Sequence, residues 1–213
     1  MKHIDELCIR YPVLSVCKND IEKAAEALIE SFENGGKLLV AGNGGSCADS
    51  DHISGELLKS FVKKRRPSAE LIDSIRKINP ETGDYLADKL QGSLPVIALT
   101  NNTALMTASL NDVDGNVMFA QQVNGYGKEE DVFLGISTSG NSRNIIYPTV
   151  VAKAKGLMTV ALTGKDGGKL KGIADICIVV PEQETFKIQE LHLPVYHALC
   201  LEIEEYLDRK STR

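Results

Sequence analysis

The sequence predicts an α/β fold in which a sheet of five parallel strands is flanked by helices. Five short apolar runs alternate along the chain with stretches of helical periodicity, and such alternation is typical of strands joined by right-handed helical crossovers. The runs are apolar throughout, as expected for strands buried on both faces. Three of them are followed directly by polar turns, and in doubly wound sheets such turns lie at the ligand-binding edge.

Residues 1–34 are predicted to form an N-terminal helical arm that precedes the sheet. One helix is expected to break near Pro12, and a second one is expected to begin near Asn19 and to end at Gly35 and Gly36. The apolar face of this arm fits a partner subunit and the arm's own sheet equally well.

The chain is organised around residues 37–58, KLLVAGNGGSCADSDHISGELL. This stretch predicts a buried strand, a glycine-rich turn and a helix, with Ser46 or Asp49 capping the helix. A helix that begins behind a glycine turn favours anions and polar oxygens. His52 and Glu56 are four residues apart and share one helix face, although such pairs also occur often on solvated helix surfaces.

The rest of the chain supplies four strands and several helices. The basic run at residues 63–66, KKRR, is more typical of a solvated helix end than of a phosphate site. Residues 68–92 predict an inserted helical hairpin with a turn at 80–84. The other strands and the long terminal helix are predicted at residues 94–99, 132–136, 158–162, 176–180 and 184–206.

Composition narrows the classes of function. The 213 residues fit one domain with a sizeable core. The net charge of −5 argues against a nucleic-acid surface. Five scattered cysteines without a CxxC pair favour the cytosol over a disulfide framework. The sequence has neither an N-terminal apolar leader nor a run of 18 apolar residues, so we expect no secretion signal and no membrane span.

Two further segments carry candidate chemistry. The turn STSGNS places four hydroxyls just ahead of a predicted helix, which suits a phosphate group, whereas it lacks the GK[ST] of a Walker loop. On the terminal helix, Gln189 and His197 are eight residues apart and lie roughly on one face. His197 also stands among apolar residues, so spacing alone favours a buried core histidine.

Four motifs, GNGGSCADSDHISGEL, GISTSGNSRN, ALTGKDGG and KIQELHLPVYHALC, resemble the sugar isomerase (SIS) domain family, and within it the bacterial phosphoheptose isomerases. The resemblance covers nearly the whole chain apart from residues 68–92. It implies a single SIS domain over residues 1–213 with a flavodoxin-like parallel sheet. It also implies a cytoplasmic homotetramer with sites at subunit interfaces. The implied reaction is the aldose–ketose isomerisation of sedoheptulose 7-phosphate to D-glycero-D-manno-heptose 7-phosphate.

The resemblance also implies roles for individual residues. Glu56 and His197 would be the acid/base pair, with their order left open. One zinc ion per subunit would be held by His52, Glu56, Gln189 and His197. The implied substrate-binding residues are Asn43, Gly44, Gly45, Ser46, Glu56, Asn111, Asp112, Ser137, Thr138, Ser139, Ser142 and Gln189.

The sequence leaves other functions open. Relatives often carry an arginine shortly after the glutamate of the central helix, where this chain has LLKSF, so Lys59 or Lys63 is the candidate substitute. A non-catalytic SIS protein that binds a sugar phosphate or the replication initiator is one alternative, but such proteins lack counterparts of Glu56 and His197. A sugar-sensing regulator would need an additional DNA-binding domain. Nothing in the sequence excludes an isomerase of another sugar phosphate, such as a pentose or hexose phosphate.

Overall fold

The computed structural model describes residues 1–211, with side chains described for residues 1–209. The strands are β1 (Leu38–Gly42), β2 (Val96–Ala98), β3 (Val132–Ser137), β4 (Met158–Thr163) and β5 (Ile176–Val179). The helices are α1 (Lys2–Arg10), α2 (Lys18–Glu33), α3 (Gly45–Leu58), α4 (Ala69–Ile78), α5 (Pro80–Lys89), α6 (Thr103–Asp112), α7 (Met118–Tyr126), α8 (Arg143–Ala154) and α9 (Thr185–Ser211).

The five strands form one parallel sheet in the order β2-β1-β3-β4-β5, which confirms the predicted flavodoxin-like α/β fold. The central strands β1 and β3 are buried along their whole length. From β1 the chain moves outward to β2, and it returns to the other side of β1 at β3. The polar turns after β1 and β3 therefore flank the topological switch point, where ligands bind in open α/β sheets.

Alternate residues along the strands contribute side chains to two apolar layers, one on each face of the sheet. On one face Leu38 and Val40 pack with α1, α2, α3 and α9. On the other face Leu39 and Phe133 pack with α7 and α8. Helix α3 and the terminal helix α9 therefore share a layer, which brings residues about 140 positions apart into contact.

The N-terminal arm packs against helix α9 of the same chain. Ile4 and Leu7 are buried in the layer that contains α9, and the Glu202 carboxylate accepts hydrogen bonds from the backbone N–H groups of His3 and Ile4. A 3₁₀ segment, Pro12–Cys17, replaces the predicted break. The outer face of the arm exposes Ile9 and Val16, at 79% and 76% of their accessible surfaces.

Two local predictions were wrong. Residues 80–84 do not form a turn: Pro80 is the first residue of α5, where a missing N–H costs nothing, and the Asn79 side chain caps the helix by accepting from the Thr82 N–H. The basic run is not a helix end either, because α3 stops at Leu58. Arg65 instead turns inward and pairs with the buried Glu204 at 3.1 Å.

Helix α9 is the longest helix at 27 residues and contains Pro194 in its interior. Neither α9 nor any other helix within the described part of the chain combines the length and apolarity needed to cross a membrane.

Candidate active site

The turn after β1 opens α3 without a side-chain cap. Gly44, with φ at +55°, is the N-cap residue of α3, and no side chain of the described residues caps this helix. The expectation that Ser46 or Asp49 would do so was wrong. Ser46 is buried within the first turn of α3, and its backbone packs so tightly on Gly42 that a Cβ there would lie 2.3 Å from the Ser46 carbonyl oxygen. Asn43, Gly44 and Gly45 are exposed at the sheet edge.

The hydroxyl-rich loop after β3 opens α8 in a similar way. Ser142 is the N-cap residue of α8, and within the described chain this helix start has no side-chain cap. The Ser137 hydroxyl donates to the Ser142 hydroxyl at 3.1 Å, and the Ser139 hydroxyl accepts from the Asn141 N–H at 3.2 Å. Serine hydroxyls therefore surround an uncapped helix N-terminus, an arrangement that suits a phosphate group.

The third turn, TGKDGG at residues 163–168, supports the hydroxyl-rich loop from behind. The Gly164 N–H donates to the Thr138 carbonyl at 3.1 Å. Gly140, with φ at +63°, lies so close to this turn that a Cβ there would be 1.9 Å from the Gly167 carbonyl oxygen. The loop conformation therefore depends on a glycine at position 140.

A reciprocal amide pair joins the first turn to α8. Asn43 Nδ2 donates to Asn144 Oδ1 at 2.9 Å, and Asn144 Nδ2 donates to Asn43 Oδ1 at 2.8 Å. Sequence reasoning assigned Asn43 to the site but missed Asn144, although Asn144 stands only two residues after the hydroxyl-rich turn. The pair fixes the spacing between the two candidate substrate loops.

Three of the four candidate metal ligands lie together between α3 and α9. His52 Nε2 lies 3.2 Å from Glu56 Oε1, and the rings of His52 and His197 meet edge to face with centroids 5.0 Å apart. The Phe61 ring also contacts His197, with ring centroids 5.3 Å apart. Burial, followed by the neighbouring His52, lowers the pKa of His197 below its ordinary value, which favours the neutral imidazole.

The remaining candidate residues lie farther away. The Gln189 amide lies against the start of α3, because a Cβ at Gly45 would be 2.5 Å from Gln189 Nε2. Seven residues of helix, about 10 Å, separate Gly45 from His52. Asn111 and Asp112 are exposed at the end of α6, where Asn111 donates to Asp112 at 2.6 Å.

The donor chemistry of this cluster fits zinc, although no described group of three or more His, Cys, Asp or Glu side chains is arranged as a complete ligand set. The 3.2 Å between His52 Nε2 and Glu56 Oε1 matches the spacing of about 3.3 Å expected for two ligands of one tetrahedral zinc. His197 Nε2 is buried and has no hydrogen-bond partner among the described residues. Such an atom is available to a ligand or a metal ion.

Residues beyond the motif hold the end of α3 in place. The Glu204 carboxylate accepts from the backbone N–H groups of Phe61, Val62 and Lys63 and pairs with Arg65. Arg65 also donates to the carbonyl oxygens of Leu57, Lys59 and Gly92. Of the two candidate substitutes for the missing arginine, Lys59 is the one beside the site, with Nζ 3.4 Å from Glu56 Oε2, whereas Lys63 pairs with Glu205 and Asp208.

The parallel sheet, the two polar turns at its switch point and the α3–α9 cluster define a SIS-type protein. Residues 12–79 and 86–164 match the SIS domain family, and the chain is a member of that class. A phosphoheptose isomerase of Aneurinibacillus thermoaerophilus is 40% identical over 191 residues, covering 90% of this chain and 83% of the relative. The chain therefore belongs to the phosphoheptose isomerase family.

Two solved structures are similar over almost the full chain. A phosphoheptose isomerase from Francisella tularensis superposes with a TM-score of 0.73 at 30% identity, covering 96% of this chain and 94% of the other. The enzyme of the same name from Neisseria gonorrhoeae gives a TM-score of 0.69 at 31% identity, with 94% and 98% covered.

Proposed function

We propose that this protein is an aldose–ketose isomerase that converts sedoheptulose 7-phosphate to D-glycero-D-manno-heptose 7-phosphate. The observation that carries the proposal is the clustering of Glu56 and His197 around His52, from two helices remote in sequence, in a sheet whose switch point is flanked by two polar turns. The similarity to phosphoheptose isomerases over 90% of the chain supports the choice of substrate.

The residues present can carry out the proton transfers of such a reaction. Isomerisation moves a proton between adjacent carbons through an enediol, and it needs one group at the carbon-bound proton and another at the neighbouring oxygen or carbon. Glu56 and His197 are assigned to these two positions. The phosphate is assigned to the hydroxyls of Ser137, Thr138, Ser139 and Ser142, and the sugar hydroxyls to the backbone and amide groups of the first turn.

The proposal includes one zinc ion per subunit. His52, Glu56, Gln189 and His197 would hold it, and bound zinc would either polarise the substrate carbonyl as a Lewis acid or fix the positions of Glu56 and His197. The clustering of His52, Glu56 and His197 and the unpartnered Nε2 of His197 support three of these four ligands.

The proposal also concerns the assembly. We assign residues 1–213 to a single SIS domain that forms a cytoplasmic homotetramer with sites at subunit interfaces. The exposed apolar residues on the arm support a subunit contact, and five unpaired cysteines are compatible with a reducing compartment.

Incubation of the protein with sedoheptulose 7-phosphate, followed by NMR detection of the aldose product, tests the proposed reaction. We expect Glu56→Gln and His197→Asn each to lower kcat by about 10²–10⁴-fold, because each removes one proton-transfer group, while KM changes little. Glu26→Gln, the same substitution at an exposed position of α2, is the matched control and should retain full turnover.

Near-normal turnover in both Glu56→Gln and His197→Asn would contradict the assignment of the acid/base pair. Turnover by the wild type of a pentose or hexose phosphate, without turnover of the heptose phosphate, would redirect the proposal to another sugar phosphate.

A further inference from the structure

A chain of hydrogen bonds runs from α9 to the back of His52. The Tyr196 hydroxyl donates to Asp49 Oδ1 at 3.2 Å. The Tyr196 hydroxyl oxygen also lies 3.0 Å from His52 Nδ1. On its other side His52 presents Nε2 to Glu56. Tyr196 is 1% exposed, so water cannot easily replace either of its partners.

The single proton of the Tyr196 hydroxyl decides which atoms donate and which accept in these hydrogen bonds. A tyrosine hydroxyl can donate only one hydrogen bond. A tyrosine phenol is protonated at neutral pH, because its ordinary pKa is about 10, and here its O–H donates a hydrogen bond to Asp49 Oδ1. The oxygen can then only accept from His52, which requires a proton on His52 Nδ1.

We propose that Tyr196, anchored by Asp49, is a positioning residue that holds His52 in the Nδ1–H tautomer and so directs the Nε2 lone pair toward Glu56. This inference rests on the site assigned in the proposed function. A neutral histidine binds a metal ion through its unprotonated nitrogen, and the partner of the other nitrogen selects the tautomer. Tyr196 and Asp49 thus prepare His52 as a ligand, and neither contacts the substrate in this scheme.

The tautomer can be observed directly in full-length protein labelled with ¹⁵N-histidine and treated with a chelator. Only four histidines contribute signals, and two-bond ¹H–¹⁵N correlations distinguish Nδ1–H from Nε2–H at about two pH units above the ordinary histidine pKa. We expect Nδ1–H at His52 in the wild type. In Tyr196→Phe we expect a shift toward Nε2–H, because Nε2–H can donate to Glu56 once the phenol is gone.

Zinc affinity provides a second readout that needs no sugar substrate. Loss of a partner that orients a histidine ligand typically weakens metal binding by about 10–100-fold, and we expect a loss of this size for Zn²⁺ alone in Tyr196→Phe. Tyr206→Phe is the matched control, because Tyr206 lies on the same helix and also donates to a carboxylate, Glu33 Oε1, at 3.1 Å. It should change neither readout.

An Nε2–H tautomer in the wild type would overturn the inference, as would a Tyr196→Phe variant with unchanged tautomer or unchanged zinc affinity. If Tyr196→Phe does not fold, Asp49→Asn tests the same chain of hydrogen bonds, since it removes the charge that accepts the hydrogen bond of the phenol while keeping the side-chain volume. It should shift the tautomer in the same direction. Because both readouts are independent of turnover, a failed isomerase assay would leave this test intact.

Discussion

Single hydroxyl groups decide how the loop after β3 can hold an anion. Ser142 stands at the start of α8, and its hydroxyl is already oriented by Ser137. Ser139 accepts from the backbone of Asn141 and keeps its own proton available. Both hydroxyls can therefore donate to a phosphate oxygen without rebuilding the loop.

We expect the double variant Ser139→Ala plus Ser142→Ala to raise KM for the phosphorylated substrate by the equivalent of about 2–4 kcal/mol, because two hydrogen bonds to a charged group are lost. Steady-state kinetics of the isomerisation measure the effect. The unphosphorylated sugar is the internal control, since its already weak use should not change. An unchanged KM for the phosphorylated substrate would rule out this loop as the phosphate site.

The sequence indicates residue types at the site far better than it indicates their partners. His52 and Glu56 could be placed on one face because helix geometry relates neighbours four residues apart. Tyr196, Asn144 and Glu204 were missed as functional or supporting residues, because each meets a partner more than 100 residues away. Local periodicity contains no information about such contacts, and only the parallel packing of α3 and α9 creates them.

The hairpin of α4 and α5 is joined to the rest of the domain mainly at its two ends. Ile72 is the one residue of α4 that is buried, and Gly83 the one residue of α5. At these ends, Arg65 and Gly92 exchange hydrogen bonds, and Ser60 donates its N–H to Gln91. The hairpin is therefore attached to the loop that comes after α3, the helix that carries Glu56. It contributes little to the apolar core.

Replacing residues 69–89 with a short Gly/Ser linker should leave the protein folded, because the hydrogen bonds between Arg65 and Gly92 and the apolar core stay intact. We expect a changed KM or a changed substrate range, measured with a panel of ketose phosphates alongside thermal unfolding. Loss of cooperative unfolding would instead assign the hairpin a structural role.

Strand positions were predictable to within about two residues, whereas helix boundaries near proline were not. A short apolar run bounded by turns defines a buried strand almost alone, as at β3 and β4. Pro80 was misjudged because proline is common both in turns and at the first position of a helix. The Asn79 cap would have separated the two, since an asparagine directly before a proline-led helix satisfies an otherwise unpaired N–H.

The order of the strands follows from the rules of parallel-sheet topology, but the role of the arm does not follow from its sequence. Alternating strands and helices with right-handed crossovers leave few orders for five parallel strands. The amphipathic arm, by contrast, had two possible partners. The structure shows that its inner face packs on α9 of the same chain, and it leaves Ile9 and Val16 exposed on the outer face.

We expect the wild-type protein to sediment at about four times the mass of one chain, as the proposed homotetramer requires, and large apolar side chains exposed on a helical arm are typical of subunit contacts. Val16→Glu should shift the protein toward smaller species, since it places a charge in that contact, and it should lower activity if neighbouring subunits complete each site. Ile78→Glu is the matched control for the sedimentation measurement: Ile78 is also exposed, at 85%, but it lies on the hairpin. Sedimentation velocity and the isomerase assay on the same samples connect the two effects. A wild type that remains an active monomer would contradict both the tetramer and the shared site.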